Sequence, residues 1–498
     1  MILRLAWRHL TLRPWRTAFL LVGYALGVAV MIVLLSIGVA LLAHARDEKL
    51  VGGGTLTVLP EGIDVEVMKT GGLGGLFFSI DHARFVYLQL LASPRLADRV
   101  HAVAPQIEGK LLYLRRDDGR EWPVRASGAI PSRSAAVGAA PMLRAGAWRD
   151  DAGDRRWMAP SDAELRREID RFHLPPADVQ GNESWAEWHY FNVLSADRRR
   201  WAFVTLMVGG AIPDGRWGAQ VLVTLHEQGR PARRYSSVVP RERVRLSTHD
   251  ADLQLDSSSV RLLPDGRYAV RAFARSESGD GGGVRVELLV TPQSRAYFPG
   301  STLAGGPQIS GYAVPALRAS ATGTICDASR CERFDDAQAY HDHNWGVWRG
   351  VTWEWGAARA GAYTLLYGRV QQPDSIAAAQ PLFLYLVDSL GFLSLFRPRT
   401  IEYDDARRLR VPGGALRVPA RARMADVRGD DTVVVELEIE DAMATDTRSG
   451  LVERGEGEAA RRLPRPWFIQ MKGIARLRGR AHGRVLAGEG TGFFETYR

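Results

Sequence analysis

Val284-Arg-Val-Glu-Leu-Leu-Val290 sets Val284, Val286, Leu288 and Val290 on one side of an extended chain and Arg285, Glu287 and Leu289 on the other. Successive side chains of a strand point to opposite faces, so this run has one buried and one wet face. The alternation recurs where Val435, Leu437 and Ile439 interleave with Glu436, Glu438 and Glu440. Pro264-Asp-Gly266 reads as a turn between two such runs. From Gly181 to the end, period-two runs and turns follow one another with hardly any helical periodicity. The chain is predicted to be mainly β there, an antiparallel barrel or sandwich, and about 315 residues make room for two. A closed barrel removes exposed strand edges and can enclose one apolar ligand.

The whole sequence has 498 residues, too many for one ordinary core. Its formal charge of +9 is spread along the chain, with no basic block interleaved with aromatics, so nucleic acid is not an expected partner. A weak attraction to anionic membrane surfaces uses this charge more economically. The two cysteines, Cys326 and Cys331, have no second pair or zinc-finger histidine near them. Outside the cytoplasm, a disulfide clamping a tight hairpin fits their spacing; two free thiols in a loop is the alternative.

Residues Thr17 to Ala43 carry no charged side chain. At 1.5 Å per residue, about 27 residues exceed the roughly 20 that cross a hydrocarbon core. Arg4, Arg8, Arg13 and Arg16 precede the run without any acid, whereas Arg46 and Lys49 follow it. That bias puts the N-terminus in the cytoplasm and everything after residue 45 outside an inner membrane crossed once. The run is long for a signal peptide, although Ala40 and Ala43 leave cleavage open. Gly23 and Gly27 form a small-xxx-small pair on which another helix could pack.

The stretch from Leu5 to Thr17, Leu-Ala-Trp-Arg-His-Leu-Thr-Leu-Arg-Pro-Trp-Arg-Thr, resembles the first segment of MacB-type ABC-transporter permeases, and Gly54-Thr-Leu-Thr-Val-Leu-Pro-Glu-Gly-Ile-Asp64 resembles the start of their exterior core. The resemblance implies a permease-derived anchor, with permease and ATPase subunits as possible partners. It departs from the family in lacking further C-terminal helices, and no P-loop is present. Residues 44–160 read as a small α+β exterior segment with a loop at Gly71-Gly-Leu-Gly-Gly75. Ser161-Asp-Ala-Glu164 is a capping box opening a short linker helix over 161–180, with Leu165, Ile169 and Phe172 on one face and Pro175-Pro176 as its stop.

Two motifs concentrate chemistry. Tyr340-His-Asp-His-Asn-Trp-Gly346, followed by Trp348, Trp353, Glu354 and Trp355, sets His341 and His343 on one side of a strand and Asp342 and Asn344 on the other. Trp185-Ala-Glu-Trp-His-Tyr-Phe-Asn192 sets the carboxylate of Glu187 among Trp185, Trp188 and Tyr190. A few polar groups among large apolar walls suit a pocket that orients a greasy ligand, and a carboxyl walled in by tryptophan is a candidate proton donor near neutral pH. With Gly490-Thr-Gly-Phe-Phe-Glu495, these motifs resemble the AttH-like and carotenoid 1,2-hydratase family over roughly residues 180 to 498. The resemblance implies two lipocalin-like (calycin) barrels, 181–335 and 336–498, around a long apolar cavity. The insertion carrying Cys326 and Cys331 is a departure from the family pattern.

Three readings follow. In the first, a membrane-anchored exterior protein binds a hydrophobic lipid or isoprenoid-like molecule as an accessory of a transporter, with Trp185, Glu187, Trp188, Tyr190, Asn344, Trp345, Trp348, Trp353, Trp355 and Glu495 lining the site. In the second, Asp342 protonates a C=C bond for hydration, cyclisation or isomerisation, Trp345 and Trp353 stabilise the cation, and His341, His343 or Tyr340 tune the acid. That reading needs no cofactor. In the third, the motif is a buried structural corner. A metal site at His341 and His343 lacks a third ligand in the sequence, so no metal is expected. No Gly-x-Ser-x-Gly elbow is present. A glycosidase pair of Glu187 and Asp342 has no separation fixed by sequence. His226 and Glu227 read as solvated strand-end groups.

Overall fold

The computed structural model describes residues 7, 11–47, 56, 58, 80–91, 93–138, 149–277, 279, 281–305, 308–371, 381–447 and 465–498. The Gly71–Gly75 loop lies outside them, as does most of Leu5–Leu10 and Gly54–Asp64. The chain forms two compact units, residues 1–91 with 99–155 and residues 92–98 with 156–498.

The first unit begins with helix α1, Pro14–Asp47. Its stretch Pro14–Ile37 is apolar and long enough to cross a membrane, and none of it is buried in the protein; a signal sequence meets the same test. Helix α2 (Ile80–Leu91), the hairpin of β1 (Gln106–Arg115) and β2 (Glu121–Ala129), and helix α3 (Pro131–Ala136) follow, an α+β arrangement. Helix α4 covers Ala152–Met158.

The second unit is mainly β. It opens with helix α5, Asp162–Ile169, whose Ser161 and Glu164 form both hydrogen bonds of the capping box. The buried face is Ala163, Arg166 and Ile169, with Leu165 only half-buried, and the helix stops at Asp170, before the prolines. Ending there drops Asp170 into the protein interior, where it is fully buried.

Strands β3 (Trp185–Leu194), β4 (Arg200–Gly210), β5 (Trp217–Glu227) and β6 (Arg233–Pro240) form a meander. Short strands β7 (Val244–Leu246), β8 (Asp252–Leu255) and β9 (Ser258–Leu262) lead into β10 (Tyr268–Ser276) and β11 (Gly283–Pro292). After β12 (Phe298–Gly305) come the long strands β13 (Gln308–Asp327) and β14 (Cys331–Val347), whose tip is clamped by the disulfide Cys326–Cys331. Main-chain pairing runs β3–β4–β5–β6–β10–β11–β13–β14 and returns to β3, so this barrel is closed. Val284, Val286, Leu288 and Val290 face its interior with Phe191, Val204, Leu206, Val221 and Tyr268, while Arg285 and Glu287 pair with each other outside. The interior is packed with side chains.

The chain changes sheet at residues 348–351, later than the 335/336 division read from sequence, because the motif strand pairs residue for residue with β3. The second sheet contains β15 (Thr352–Ala360), β16 (Tyr363–Gln371), β17 (Phe383–Asp388), β18 (Gly391–Phe396), β19 (Glu402–Asp404), the separate hairpin β20 (Arg407–Val411) and β21 (Gly414–Val418), then β22 (Arg421–Arg428), β23 (Asp431–Asp446), β24 (Trp467–Ala481) and β25 (Arg484–Tyr497). Excluding that hairpin, its order is β18-β17-β16-β15-β25-β24-β23-β22-β19. Leu365, Leu384, Val435, Leu437, Met471 and Phe494 fill its core. Among the described residues, no main-chain ladder joins β18 to β22. Instead the Arg397 amide, just after β18, donates to Asp426 Oδ2 (2.7 Å) and Arg428 Nη1 donates to the Leu395 carbonyl (3.4 Å). The outer faces of β3 and β14 pack against β15, β24 and β25, which brings Tyr190 and Tyr340 onto Phe493 and Trp355 onto Tyr340.

Candidate active site

Because β3 and β14 are paired in register, their alternation sorts the motif residues onto two faces. Trp345 faces Glu187, His343 faces His189 and His341 faces Phe191, all toward the first barrel's interior. Asn344 faces Trp188, Asp342 faces Tyr190 and Tyr340 faces Asn192, all toward the second sheet. The residues that the sequence groups into one pocket form two separate sites.

The site between the sheets is built around two acids. Asp342 and Glu495 are only 4% and 6% exposed, and neither has a Lys or Arg among the largest influences on its charge. Asn344 Nδ2 donates to Asp342 Oδ1 (2.7 Å), and the nearby Tyr340 hydroxyl also favours that carboxyl's anion. Trp355 Nε1 donates to the Tyr340 oxygen (2.9 Å). Trp353 Nε1 donates to Glu495 Oε2 (2.9 Å), and the nearby Gln470 and Tyr190 also favour that carboxyl's anion. Asn192 links Tyr190 (3.3 Å) to Trp201 Nε1 (2.7 Å). Burial pushes Asp342 up to about 7, against the hydrogen bonds that favour its anion. Burial and then the Asp342 charge push Glu495 up to about 8. At neutral pH the pair therefore retains a proton.

A narrow, partly open cleft with a free volume of about 20 Å³, room for about one water, runs beside this pair, lined in part by Asn192, Trp201, Tyr340, Phe493, Arg359 and Lys472. Tyr340 is the wall that connects the cleft to Asp342. Trp188, Trp348 and Trp353 form an aromatic cluster at the other end, and Trp348 Nε1 donates to the Ala186 carbonyl (3.2 Å). His226 lies in this interface too, 3.3 Å from Asp441 and edge-on to Trp201, rather than in solvent. Glu227 pairs with Arg330 and Arg230.

The interior face carries the second site. His341 Nε2 lies 3.0 Å from Asp170 Oδ2, and His341 Nδ1 lies 3.0 Å from the Tyr190 carbonyl. Asp170 Oδ1 is 2.9 Å from His343 Nδ1 and 3.4 Å from His189 Nδ1. His343 Nε2 is 2.7 Å from Glu187 Oε1, and the His173 amide donates to both Glu187 oxygens (2.8 and 3.0 Å). Burial opposes the Asp170 charge, but the His341 and His189 imidazoles hold that carboxyl well below the usual range. Burial, reinforced by Asp170, pushes Glu187 well above it. Burial, then the His189 charge, draws His343 down to about 4; burial, then His343, draws His173 down to about 2.

This division corrects several expectations. His341 and His343 bond Asp170 and Glu187, so neither hydrogen-bonds Asp342; His341 acts on that carboxyl only through its charge, which lowers it. Trp345 stacks on His173 (3.7 Å between centroids) inside the barrel and cannot face a cation beside Asp342. Trp185 is likewise a core residue of the first barrel. Glu187 and Asp342 lie on opposite sides of one sheet, so they cannot flank a glycosidic bond. Asp170 and His189 supply the ligands that His341 and His343 lacked in the sequence. His189 was legible, two residues after Glu187 on the same face; Asp170 and His173 were not, because the fold's closure brings them there.

Trp345 lies flat across Gly311, where a Cβ would collide with its indole ring. Gly311→Val is expected to displace Trp345 from His173 and to destabilise the unit by about 1–3 kcal/mol. A urea titration followed by tryptophan fluorescence measures this.

No protein-family model matches the sequence, and no curated protein does. Among solved structures, AttH from Nitrosomonas europaea is 16% identical with a TM-score of 0.44, covering 66% of this chain and 98% of that one. Kievitone hydratase from Nectria haematococca is 11% identical with a TM-score of 0.38, covering 66% and 97%. CghA, solved with Sch210972, is 13% identical with a TM-score of 0.39, covering 63% and 88%. The likeness is one of fold.

Proposed function

We propose that the second unit is a cofactor-independent enzyme that protonates a C=C bond of an apolar, isoprenoid-like substrate, leading to hydration, cyclisation or isomerisation. The buried Asp342–Glu495 pair carries this reading. Two buried carboxyls, Glu495 raised further by the Asp342 charge, keep a proton available at neutral pH. Tyr340 relays it: the alkene takes the Tyr340 hydroxyl proton, and the phenol oxygen takes the proton of Asp342. Asp342 is left as the carboxylate. The tertiary cation lies against the rings of Phe493, Trp201 and Tyr340. In hydration, water adds to the cation and its proton returns to Asp342, so the net change is one water added across the double bond. The first barrel's packed interior argues against the simple carrier reading, in which a ligand fills an open barrel. A hydratase among the proteins of similar fold is in keeping with this chemistry, though the proposal stands on the acid pair. Helix α1 would tether the enzyme to the inner membrane with its β unit outside, beside the bilayer that dissolves such substrates.

The test incubates the full chain in detergent with a panel of isoprenoid alkenes in H₂¹⁸O and analyses extracts by mass spectrometry. A product carrying one ¹⁸O-labelled water, or a cyclised or double-bond isomer, is the expected result. Recovery of only unmodified alkenes across the panel, with apolar lipid co-purifying unchanged, replaces the enzyme with a carrier.

A further inference from the structure

The cluster inside the first barrel is not used by the proposed reaction. It lies on the opposite face of β14 from Asp342. It also divides into halves with different bonding. In the outer half, Glu187 accepts the His173 amide on both oxygens and meets His343 with hydrogen-bond geometry, so protons alone satisfy it. The inner half is different. Asp170 Oδ1, His189 Nδ1 and His343 Nδ1 are buried and have no hydrogen-bond partner, although they stand 2.9–3.4 Å apart.

His341 sharpens the point. Its Nδ1 faces a carbonyl oxygen, which only accepts, so Nδ1 carries the proton. Its Nε2 is thus the ring atom aimed at the Asp170 carboxylate, 3.0 Å away. A proton or a metal ion on Nε2 satisfies that contact; a metal ion would in addition take the unpartnered Asp170 Oδ1 and His189 Nδ1 beside it. The Nδ1–H···O=C bond is also the outer-shell contact that commonly fixes the tautomer of a metal-binding histidine. Ligand atoms around an ion at about 2.0–2.1 Å are separated by roughly 2.9 Å at a right angle and 3.3 Å at the tetrahedral angle. His341 Nε2 stands 3.0 Å from Asp170 Oδ2 and His189 Nδ1 3.4 Å from Asp170 Oδ1, contacts of that order with the two oxygens of one carboxylate, and one ligand atom from each residue lies within 4.8 Å of the others.

We propose that Asp170, His189 and His341 bind one divalent transition-metal ion of the zinc and ferrous-iron class, a two-histidine, one-carboxylate set with His343 next to it. Neutral imidazoles with a single carboxylate favour such an ion over magnesium or calcium, which take oxygen donors. The three ligands come from the end of α5, from β3 and from β14, so the ion ties the linker to the barrel wall. His173, with 25% of its side chain exposed, lies on the solvent side of the cluster and marks the entry route. The Glu187–His343 contact supports the site from outside.

The experiment uses the full chain in detergent. It is stripped with a chelator and titrated with Zn²⁺, Fe²⁺, Mn²⁺ or Mg²⁺ against a chromophoric competitor, with Co²⁺ absorption as a probe of the donor set. Wild type is expected to bind about one Zn²⁺ or Fe²⁺ per chain, to melt higher when loaded, and to give Co²⁺ bands of a nitrogen–oxygen site. Asp170→Asn and His341→Gln should abolish this binding. Glu187→Gln should weaken it by about 10- to 100-fold, as loss of an outer-shell contact does. Circular dichroism reports which variants are folded, and the wild-type titration needs no variant at all. The proposal is overturned if folded wild type takes up neither Zn²⁺ nor Fe²⁺. It is equally overturned if folded Asp170→Asn binds as tightly as wild type, or if Mg²⁺ competes equally.

Discussion

Asp342→Asn is expected to lower turnover of an alkene substrate by about 10²- to 10⁴-fold while substrate binding is retained, the usual span for loss of a general acid. The substitution is nearly isosteric. The asparagine oxygen can still accept from Asn344 Nδ2, and its amide can still reach the Tyr340 oxygen, so the wall of the cleft keeps its shape. What disappears is the proton that Tyr340 would receive as it gives up its own. Tyr340→Phe tests the relay from the other side. It removes the only hydroxyl proposed to stand between Asp342 and the cleft, and it also strands the Trp355 indole N–H, which now donates to that oxygen. Steady-state kinetics on both variants, with circular dichroism as the folding control, decides the matter. Asp342→Asn with unaltered kcat would remove the acid from the mechanism.

Stability should fall as pH rises from about 5 to about 8, and the acid pair should account for much of the fall. The sign follows from proton counts. Asp342 and Glu495 have ordinary values of 3.8 and 4.5, and the fold raises them to about 7 and about 8. Between those limits the folded chain keeps protons that the unfolded chain has released, so raising the pH favours unfolding. The stabilisation is complete below about pH 4 and is lost as pH rises through the folded values. Each group contributes a slope of about 1.4 kcal/mol per pH unit, hence a few kcal/mol across the window. Asp342→Asn/Glu495→Gln should flatten the difference between pH 5 and 8, measured by urea denaturation at each pH. Parallel wild-type and variant profiles would rule out buried, proton-holding carboxyls. The same protonation gives catalysis its direction: turnover should decline above about pH 7 to 8.

Alternation made most of this fold legible. Val284 to Val290 and Val435 to Ile439 are buried and exposed in the order their period implies, and Ser161 caps the helix it marks. Ring closure was not legible, because it depends on β10 meeting both β6 and β11, a pairing that no local pattern encodes. The same limit applied to the sites. His341 and Asp342 could be put on opposite faces from their spacing alone. That the two faces belong to different chambers required knowing that a second sheet covers only one of them. Asp170 shows the limit most clearly. It is a helix-end aspartate in a linker, unremarkable in sequence, and it gathers three histidines only after the barrel has closed around it.

The contrast between the two β layers also has a mechanical side. The first barrel is an unbroken hoop, and parting any two of its strands would rupture a main-chain ladder. The second is a split ring, fastened between β18 and the far end of β22 by Asp426 and Arg428. Thermal breathing should concentrate at that clasp, since side-chain bonds rather than a strand ladder hold it. The second sheet can thus loosen at its clasp while the closed barrel holds β14, and with it Asp342, still.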